Sequence, residues 1–315
     1  MLNNNFYKGE KLMKKTFALL LVLVMLVGMV ALSGCASNPQ PAAADKPEVS
    51  ETEQAPSESA ESETPAETEQ QEFRVGMECN YAPFNWTQTD DSNGAVEISS
   101  GGYAGGYDVE IAKLIADALG RKLVVVKTEW DGLIPALTSG KIDAVIAGMS
   151  AREDRKVSVD FTDNYYTSEL VIVVKKDSAY ANATSLADFT GAKITGQLNT
   201  LHYDVIPQIP DVKQQTAMET FPAMIVALTS GKIDGYVSEK PGAVSAMESN
   251  ADLTFVEFAD GKGFETSPDD VAVAVAIAKG QEDFIADINK ILAGISEDER
   301  QELMKAAVKN QPLAE

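Results

Sequence analysis

Two short polar segments of the chain carry residues that could bind a small charged molecule. Each follows one copy of an eight-residue repeat, ALTSGKID, which occurs at residues 136–143 and again at residues 227–234. The first copy leads to GMSAREDRK at residues 148–156, with a hydroxyl and arginines, and the second leads to SEKPGA at residues 238–243, with a glutamate. A guanidinium binds a carboxylate through two parallel charge-assisted hydrogen bonds. Opposite charges on two walls of one cleft would therefore suit a ligand that carries both signs.

The elements around the two copies predict an α/β layer fold. FRVGME and KLVVV indicate buried strands, and YDVEIAKLIADALG places apolar side chains on one helical face before a terminal glycine. Around each repeat the order is helix, glycine turn and strand. Such alternation favours a mostly parallel sheet, which binds ligands at the carboxyl ends of its strands. The repeat alone is equally explained as a helix-stop and turn unit that has no ligand to bind.

The N-terminal part of the chain is expected to target and tether the protein. Two lysines, an apolar run and the sequence LSGC, which ends at Cys35, are typical of a secretory signal, and LSGC resembles the lipobox of bacterial lipoproteins. We therefore expect residues 1–34 to be a signal peptide, with Met13 as a candidate start, and Cys35 to be lipidated. The alternative is a transmembrane anchor. Residues 35–72 are expected to form a disordered acidic linker, because their composition cannot bury enough apolar surface to fold.

Composition excludes several classes of function. The formal net charge is −22, and because nucleic-acid affinity comes mainly from neutralised phosphates, we expect no nucleic-acid partner. The chain has two cysteines, and with Cys35 assigned to lipid, Cys79 has no partner for an internal disulfide. No spacing of metal ligands or of a Ser–His pair is present, so we expect no metal, no cofactor and no catalytic residues. The single histidine, His202, is interpreted as structural.

Six sequence words carry the most specific signal: YAPFNW, GYDVEIAKLIADALG, WDGLIPALTSGKIDAVIAGMSAREDRK, DFTDNYY, GQLNT and IDGYVSEKPGA. In this order they resemble the extracellular solute-binding proteins of polar amino-acid ABC importers, the family of the glutamine, histidine and lysine/arginine/ornithine binding proteins. The resemblance implies a two-lobed periplasmic-binding-protein-like fold of type II, with a mostly parallel sheet flanked by helices in each lobe and two hinge crossings. Lobe 1 would comprise residues 73–168 plus 269–315, and lobe 2 residues 169–268.

The resemblance also implies a site for the α-carboxylate of an amino acid. Arg155 is expected to clamp this group, Ser150 to add its hydroxyl and backbone N–H, and Thr200 to complete the cradle. Arg152 is the local competitor for the clamp. A surface ion pair between Arg155 and a neighbouring acid is the alternative without function.

The α-ammonium group is expected to be held by acceptors from both halves of the chain. The carbonyl of Gly148 would take one proton, and Glu239 would supply the carboxylate. Glu239 stands where the family usually has aspartate, so its side chain is one methylene longer at this point. Lobe closure would place both charged groups in a water-poor site, where charge-assisted bonds strengthen.

Four more residues are expected to contact the ligand side chain. Tyr81 and Trp130 match the aromatic positions that sandwich it, Glu78 falls where an acid commonly meets its polar end, and Gln197 lies where some members touch it. A Trp face beside a carboxylate favours a basic amino acid through cation–π attraction, although relatives that bind amides carry an acid there too.

The sequence thus predicts a substrate-binding protein, not an enzyme. It would be a monomer anchored by lipid to the outer face of the cell membrane, capture a polar or basic L-amino acid by lobe closure, and deliver it to an ABC permease. The main alternative is a cyclohexadienyl/arogenate-type dehydratase on the same fold, in which Glu239 would act as general acid. A signalling domain is a third interpretation.

Overall fold

Two five-stranded sheets organise residues 70–312, the part of the chain that the computed structural model describes. The first sheet, in lobe 1, contains β1 (Glu72–Met77), β6 (Lys122–Lys127), β7 (Ala144–Val145), β8 (Val159–Thr167) and β14 (Ala272–Ala278). The second, in lobe 2, contains β9 (Leu170–Lys175), β10 (Lys193–Thr195), β11 (Lys213–Gln214), β12 (Gly235–Glu239) and β13 (Leu253–Val256). A smaller sheet in lobe 1 contains β2 (Asn80–Tyr81), β3 (Asn85–Gln88), β4 (Val96–Glu97) and β5 (Tyr103–Gly105).

The two large sheets have matching topology. Their strand orders are β6-β1-β7-β14-β8 and β11-β10-β12-β9-β13. In each, the first three strands are parallel and the fourth runs antiparallel to both of its neighbours. These fourth strands, β14 and β9, are the ones by which the chain enters each sheet from the other. The mostly parallel α/β fold expected from the sequence is confirmed.

Helices cover both faces of these sheets. Lobe 1 contains α1 (Tyr107–Ala118), α2 (Leu133–Thr138) and α3 (Glu153–Lys156), and lobe 2 contains α4 (Leu201–Asp204), α5 (Phe221–Thr229) and α6 (Lys240–Ser249). The chain then returns through β14 to α7 (Glu282–Ala293) and α8 (Glu297–Asn310). On one side of the first sheet, α1 and α7 pack over the buried side chains of β1, and on the other side α2 contributes Leu133 and Leu137 to a separate cluster.

The repeat builds the same joint in both lobes. After α2 and α5 the chain turns through Gly140 and Gly231, at φ +73° and +75°, a backbone region that favours glycine. The repeat then ends in an aspartate whose Oδ2 accepts the backbone N–H of the residue just before the first paired residue of the neighbouring parallel strand. Asp143 accepts from Arg74 and Asp234 accepts from Lys193, both at 2.8 Å. The repeat therefore has a structural role that needs no ligand.

The chain crosses between the two sheets twice. One crossing lies between the end of β8 at Thr167 and the start of β9 at Leu170, and the other lies between the end of β13 at Val256 and the start of β14 at Ala272. Both crossings therefore join a strand of one large sheet to the antiparallel strand of the other. The predicted signal peptide, Cys35 and nearly all of the predicted linker lie outside the described residues.

Candidate ligand-binding site

The predicted site residues lie beyond the carboxyl ends of parallel strands, as such sheets require of a ligand site. In lobe 1 they follow β1, β6 and β7, and in lobe 2 they follow β10 or end β12. Contacts described below connect them into one cluster at the seam between the lobes: Glu78, Tyr81, Trp130, Gly148, Ser150, Arg155, Gln197, Thr200 and Glu239.

Arg155 is a buried cation that the protein orients through neutral oxygens. It lies in the short helix α3 with 8% of its surface exposed. Its Nη1 donates to Ser150 O at 2.9 Å and Oγ at 3.2 Å, and its Nη2 donates to Asn199 O at 3.2 Å. The guanidinium carbon lies 5.2 Å from the ring centre of Trp130. Burial and the nearby Arg152 lower the pKa of Arg155 to about 10, so it remains charged at neutral pH.

The acids near Arg155 are paired with other basic residues. Arg152 pairs with Asp154 at 3.2 Å and with Asp204 at 2.8 Å, and Lys156 pairs with Glu153 at 2.9 Å. No carboxylate of residues 70–312 lies within 4.0 Å of the Arg155 guanidinium. A buried charge without a counter-ion is costly, and an anionic group brought into the cleft would remove that cost. The surface-pair alternative is not what the structure contains.

Glu239 is a buried acid at the end of β12. Its Oε1 lies 3.0 Å from Nε2 of His202, while its Oε2 is buried and has no hydrogen-bond partner among the described residues. Burial raises the pKa of Glu239 to about 8. Burial, together with Arg155 and Arg152, lowers the pKa of His202 to about 3. Oε2 is thus a free hydrogen-bond acceptor within the described residues, which suits a ligand group that donates a hydrogen bond.

Glu78 provides a second buried acid from lobe 1. Its Oε2 accepts a hydrogen bond from Nε2 of Gln197 at 3.1 Å, and the same nitrogen donates to the backbone oxygen of Glu219 at 3.0 Å. Oε1 of Glu78 has no partner within the described part of the chain. Burial is the main cause that raises the pKa of Glu78 to about 7. Glu78 and Gln197 thus join the two lobes and leave one acceptor open.

The two predicted aromatic residues occupy different surroundings. The ring of Tyr81 stacks on Phe221 of lobe 2 with centroids 4.2 Å apart and on Phe84 at 5.0 Å. Its hydroxyl is buried without a partner in residues 70–312. Trp130 instead faces the Arg155 guanidinium. The expected sandwich of a ligand side chain between Tyr81 and Trp130 stays a prediction.

Gly148 is fixed by a buried hydrogen-bond network. Its φ is +61°, and a Cβ there would lie 3.0 Å from a ring carbon of Tyr81. Its N–H donates to the hydroxyl oxygen of Tyr165 at 3.1 Å, and that hydroxyl donates to Oδ1 of Asp108 at 2.7 Å. Asn85 donates to Oδ2 of the same carboxylate at 2.7 Å. Glycine is therefore required both by backbone angle and by the close approach of Tyr81.

Polar contacts close the seam between the lobes. The Arg152–Asp204 ion pair crosses it, and Nδ2 of Asn199 donates to Oδ1 of Asp131 at 2.9 Å. Asn199 has φ +57°, a conformation that asparagine tolerates better than most residues. Beside these contacts lies a cavity of about 190 Å³ lined by Glu129, Trp130, Asp131, Leu198 and Glu219. Three of these five lining residues carry carboxylates.

Sequence reasoning missed three partners in this site. His202 was interpreted as structural, yet it contacts Glu239 directly. Phe221 opens the second repeat helix and stacks on Tyr81, and Asn199 contributes its backbone oxygen to Arg155. The spacing of His202 two residues after Thr200 was the available signal, because a short helix that begins at a site residue presents its first turn to the same site.

Comparison with known proteins identifies the family. The sequence profile of the bacterial extracellular solute-binding proteins, family 3, matches residues 73–308. This chain belongs to that family. The resemblance stated from the sequence words is confirmed, and a family 3 protein is an extracellular binding protein, not an enzyme. An extracytoplasmic location follows from the family.

Individual relatives of this family 3 protein agree with that assignment. A probable histidine-binding protein of Campylobacter jejuni subsp. jejuni serotype O:2 is 34% identical over 194 residues, which cover 61% of this chain and 70% of that protein. An amino acid ABC transporter substrate-binding protein from Streptococcus pneumoniae, crystallised with L-arginine, is similar with a TM-score of 0.65 at 25% identity, over 76% of this chain and 94% of that one.

A third relative bears on the dehydratase alternative. The ancestral amino-acid-binding protein AncCDT-1, described as a precursor of cyclohexadienyl dehydratase, gives a TM-score of 0.62 at 29% identity, over 75% of this chain and 95% of that one. It is itself named as a binding protein.

Within residues 70–312 of this family 3 protein, no group of His, Cys, Asp and Glu side chains has the arrangement of a metal site, and no helix is long and apolar enough to cross a membrane.

Proposed function

We propose that this family 3 protein captures a single L-amino acid between its lobes and delivers it to an ABC permease. The observation that carries the proposal is the buried Arg155 guanidinium, which has no carboxylate partner among the described residues. A ligand α-carboxylate would supply the missing counter-ion and form two charge-assisted hydrogen bonds to the planar guanidinium. Ser150, through its hydroxyl, and Thr200, through its backbone N–H, lie in the same cluster and would complete the cradle.

The opposite pole of the ligand would bind the acid from lobe 2. Oε2 of Glu239 is a buried acceptor with no partner in residues 70–312, and an α-ammonium group supplies the donor that it lacks. The carbonyl of Gly148 would take a second proton. Because each lobe brings one charge, a zwitterion satisfies both only when the lobes are closed around it, and a molecule with one charge leaves a buried group unpaired.

The side-chain end of the ligand is proposed to be polar, with a basic group favoured. Oε1 of Glu78 is a second open acceptor, Trp130 offers an aromatic face near the cleft, and carboxylates line the adjoining cavity. These features favour a donor-rich or cationic group. That the similar Streptococcus pneumoniae protein was crystallised with L-arginine supports this preference.

Delivery to the permease is proposed to occur at the membrane surface. LSGC at residues 32–35 supports cleavage before Cys35 and acylation of its thiol. The acidic, Pro- and Ser-rich residues after it would give a monomeric binding protein freedom to reach the permease.

A thermal-shift screen tests the proposal. The mature protein is first unfolded and refolded, which removes any ligand already bound. It is then heated with each of the twenty amino acids, ornithine and cystine. At least one should raise the melting temperature, since a ligand that binds only the native state stabilises it. Arg155→Ala should abolish that shift. Arg121→Ala is the matched control, because Arg121 precedes β6 at the opposite end of the strand and should leave the shift unchanged. No shift with any amino acid would contradict the proposal.

A further inference from the structure

His202 and Glu239 form a buried pair that the two-pole binding scheme does not explain. Their side chains are 7% and 11% exposed, and Nε2 lies 3.0 Å from Oε1. His202 is the only histidine of the chain. A carboxylate that served only to receive an ammonium group would not need an imidazole on its other oxygen. The hydrogen bonds around the imidazole indicate which atoms of this contact carry hydrogens.

The hydroxyl of Thr200 fixes the hydrogen on the other ring nitrogen. Thr200 Oγ1 lies 2.8 Å from the backbone oxygen of Gln197 and 3.2 Å from Nδ1 of His202. The carbonyl can only accept, so it takes the single hydroxyl hydrogen. The Thr200 oxygen must then accept from Nδ1, which therefore carries a hydrogen. Any other assignment leaves one of these two contacts without a hydrogen.

Two states remain for the contact between Nε2 and the acid. In one, a bare Nε2 accepts from a protonated Glu239, and in the other an imidazolium faces a carboxylate. The charged groups near the imidazole decide between them: Arg155 and Arg152 both act against a further positive charge on His202, while Asp204 is paired with Arg152 and Lys240 with Glu257. Both members of the pair are also buried, which disfavours two charges. The neutral pair follows, with the proton on Glu239.

We propose that His202 and Glu239 hold one proton between them, and that the ammonium group of a bound amino acid expels this proton to solvent. The inference rests on the proposed function, because it concerns the same α-ammonium subsite. The incoming ammonium needs an ionised acceptor at Oε2 of Glu239. A proton kept on His202 would add a cation beside the ammonium and two guanidinium groups, so the proton leaves the protein.

The hydrogens of the network rearrange when the proton leaves. Once Glu239 is a carboxylate, Oε1 needs a donor, so the imidazole carries its one hydrogen on Nε2 in place of Nδ1. Thr200 then donates its hydroxyl hydrogen to Nδ1, and the backbone oxygen of Gln197 gives up the hydrogen bond that it accepted from Thr200. The imidazole is neutral before and after, and the protein–ligand complex holds one proton fewer than the separated partners. Binding therefore weakens as the pH falls, by about tenfold per pH unit wherever the proton is fully bound to the unliganded protein.

The single histidine makes the hydrogen assignment directly measurable. In protein labelled with ¹⁵N-histidine and carrying no histidine tag, long-range ¹H–¹⁵N spectra distinguish the two neutral tautomers from imidazolium. We expect the Nδ1–H tautomer without amino acid and the Nε2–H tautomer at saturation, both at pH 7. An imidazolium in either state, or one unchanged tautomer in both, would overturn the proposal.

Calorimetry counts the proton. Titrations of the amino acid identified by the thermal-shift screen are run at pH 6.5 in buffers of different ionisation enthalpy, and the slope of observed enthalpy against ionisation enthalpy gives the protons released. We expect about one per ligand from the His202–Glu239 pair. Glu78→Gln isolates this pair, because the pKa of Glu78 is also raised and its carboxyl would release a proton of its own to a cationic ligand side chain; about one proton should still be released by this variant. Tight binding with no release, or release lost in Glu78→Gln, would contradict the proposal.

His202→Gln tests the contribution of the imidazole. The glutamine amide reaches about as far as Nε2 and can donate to an ionised Glu239, so release at pH 6.5 should fall to less than half of the parent value. Undiminished release would assign the proton to Glu239 alone and overturn the role of His202. If the variant fails to fold, the spectra and titrations of the parent protein still decide. Failure of every amino acid to bind at any pH would instead refute the proposed function.

Discussion

The two copies of ALTSGKID form the same structure in two lobes, whereas the buried charged residues that follow them are opposite in sign. Each copy ends a helix, turns through a left-handed glycine and ties its aspartate to the backbone of a neighbouring parallel strand. After the first copy comes Arg155, and after the second comes Glu239. Repetition therefore accounts for the scaffold of the cleft, and divergence after the repeat accounts for its chemistry.

The two walls of the cleft also differ in the ionisation state of their charged residue before a ligand binds. The lobe 1 guanidinium remains charged and is oriented by Ser150 and Asn199 oxygens. The lobe 2 carboxyl is held in its neutral form by burial and faces an imidazole. An arginine cannot be neutralised at physiological pH, but a carboxyl can. The cationic wall is thus always charged, while the acidic wall acquires its charge with the ligand.

The largest expected effect comes from the permanently charged wall. Arg155→Ala should weaken amino-acid binding by about 30-fold to several thousand-fold, because truncating one partner of a buried charge pair costs roughly 2–5 kcal/mol. Arg155→Lys should recover part of this loss, since lysine keeps the charge but not the planar fork. Isothermal titration measures both. Without ligand, Arg155→Ala should unfold at the same temperature as the parent or higher. An alanine variant that binds like the parent would remove Arg155 from the site.

A smaller loss is expected at the acidic wall. Glu239→Gln keeps the shape of the side chain and a group able to bond to His202, but it offers no charge to the ammonium. Affinity should fall by about 10–100-fold, in the range of hydrogen bonds to charged groups. Glu239→Asp should lie between the parent and the glutamine variant. Titration at pH 8, where the acid of the parent is more ionised than at neutral pH, gives a sharper difference. A glutamine variant with unchanged affinity would show that the two walls are not complementary.

The comparison of a cationic lobe 1 wall with an acidic lobe 2 wall has one exception to test. Glu78 is a buried acid on the lobe 1 wall. Its pKa in the folded protein, about 7, is above the ordinary value of 4.5. A raised carboxyl pKa contributes stability below pH 4.5 that is lost as the pH rises towards 7. Glu78→Gln should therefore gain stability over the parent between pH 5 and pH 8, on the order of 2 kcal/mol. Urea unfolding at both pH values measures this.

The control for that experiment is Glu248→Gln, which removes a carboxylate from the exposed face of α6. It should show no comparable change between the two pH values. A parent protein that becomes more stable relative to Glu78→Gln as the pH rises would contradict the assigned direction.

The smallest effect is expected at the ion pair that crosses the seam. Arg152 and Asp204 are 19% and 53% exposed, and partly exposed pairs contribute about 0–1 kcal/mol. Arg152→Ala should therefore weaken binding by no more than about fivefold, and a double-mutant cycle with Asp204→Ala gives the coupling. A loss as large as that of Arg155→Ala would make Arg152 the clamp.

Sequence patterns were sufficient for the scaffold because its requirements are local. A few neighbouring residues are enough to predict each element: the apolar run of β14, the amphipathic face of α1 and the glycine after each repeat helix. The family words then placed the site residues at strand ends.

Contacts between distant segments of the chain were beyond sequence patterns, because they depend on how the elements pack in three dimensions. The sequence around Tyr81 does not indicate that Phe221 stacks on its ring, and the sequence around Glu239 does not indicate that His202 contacts its carboxyl group. Trp130 matches a ligand-stacking position by motif, yet its ring faces Arg155. Such pairings are set by tertiary packing, both within each lobe and between the lobes.

The most direct test of the account uses ligands that lack one pole. The amino acid found in the thermal-shift screen is titrated beside its N-acetyl derivative, which has no ammonium, and beside its decarboxylated amine, which has no carboxylate. We predict that each derivative binds at least about 100-fold more weakly than the parent amino acid, because the amine leaves the Arg155 charge unpaired and the N-acetyl derivative supplies no cation to ionise Glu239. Either derivative binding as tightly as the amino acid would contradict the account.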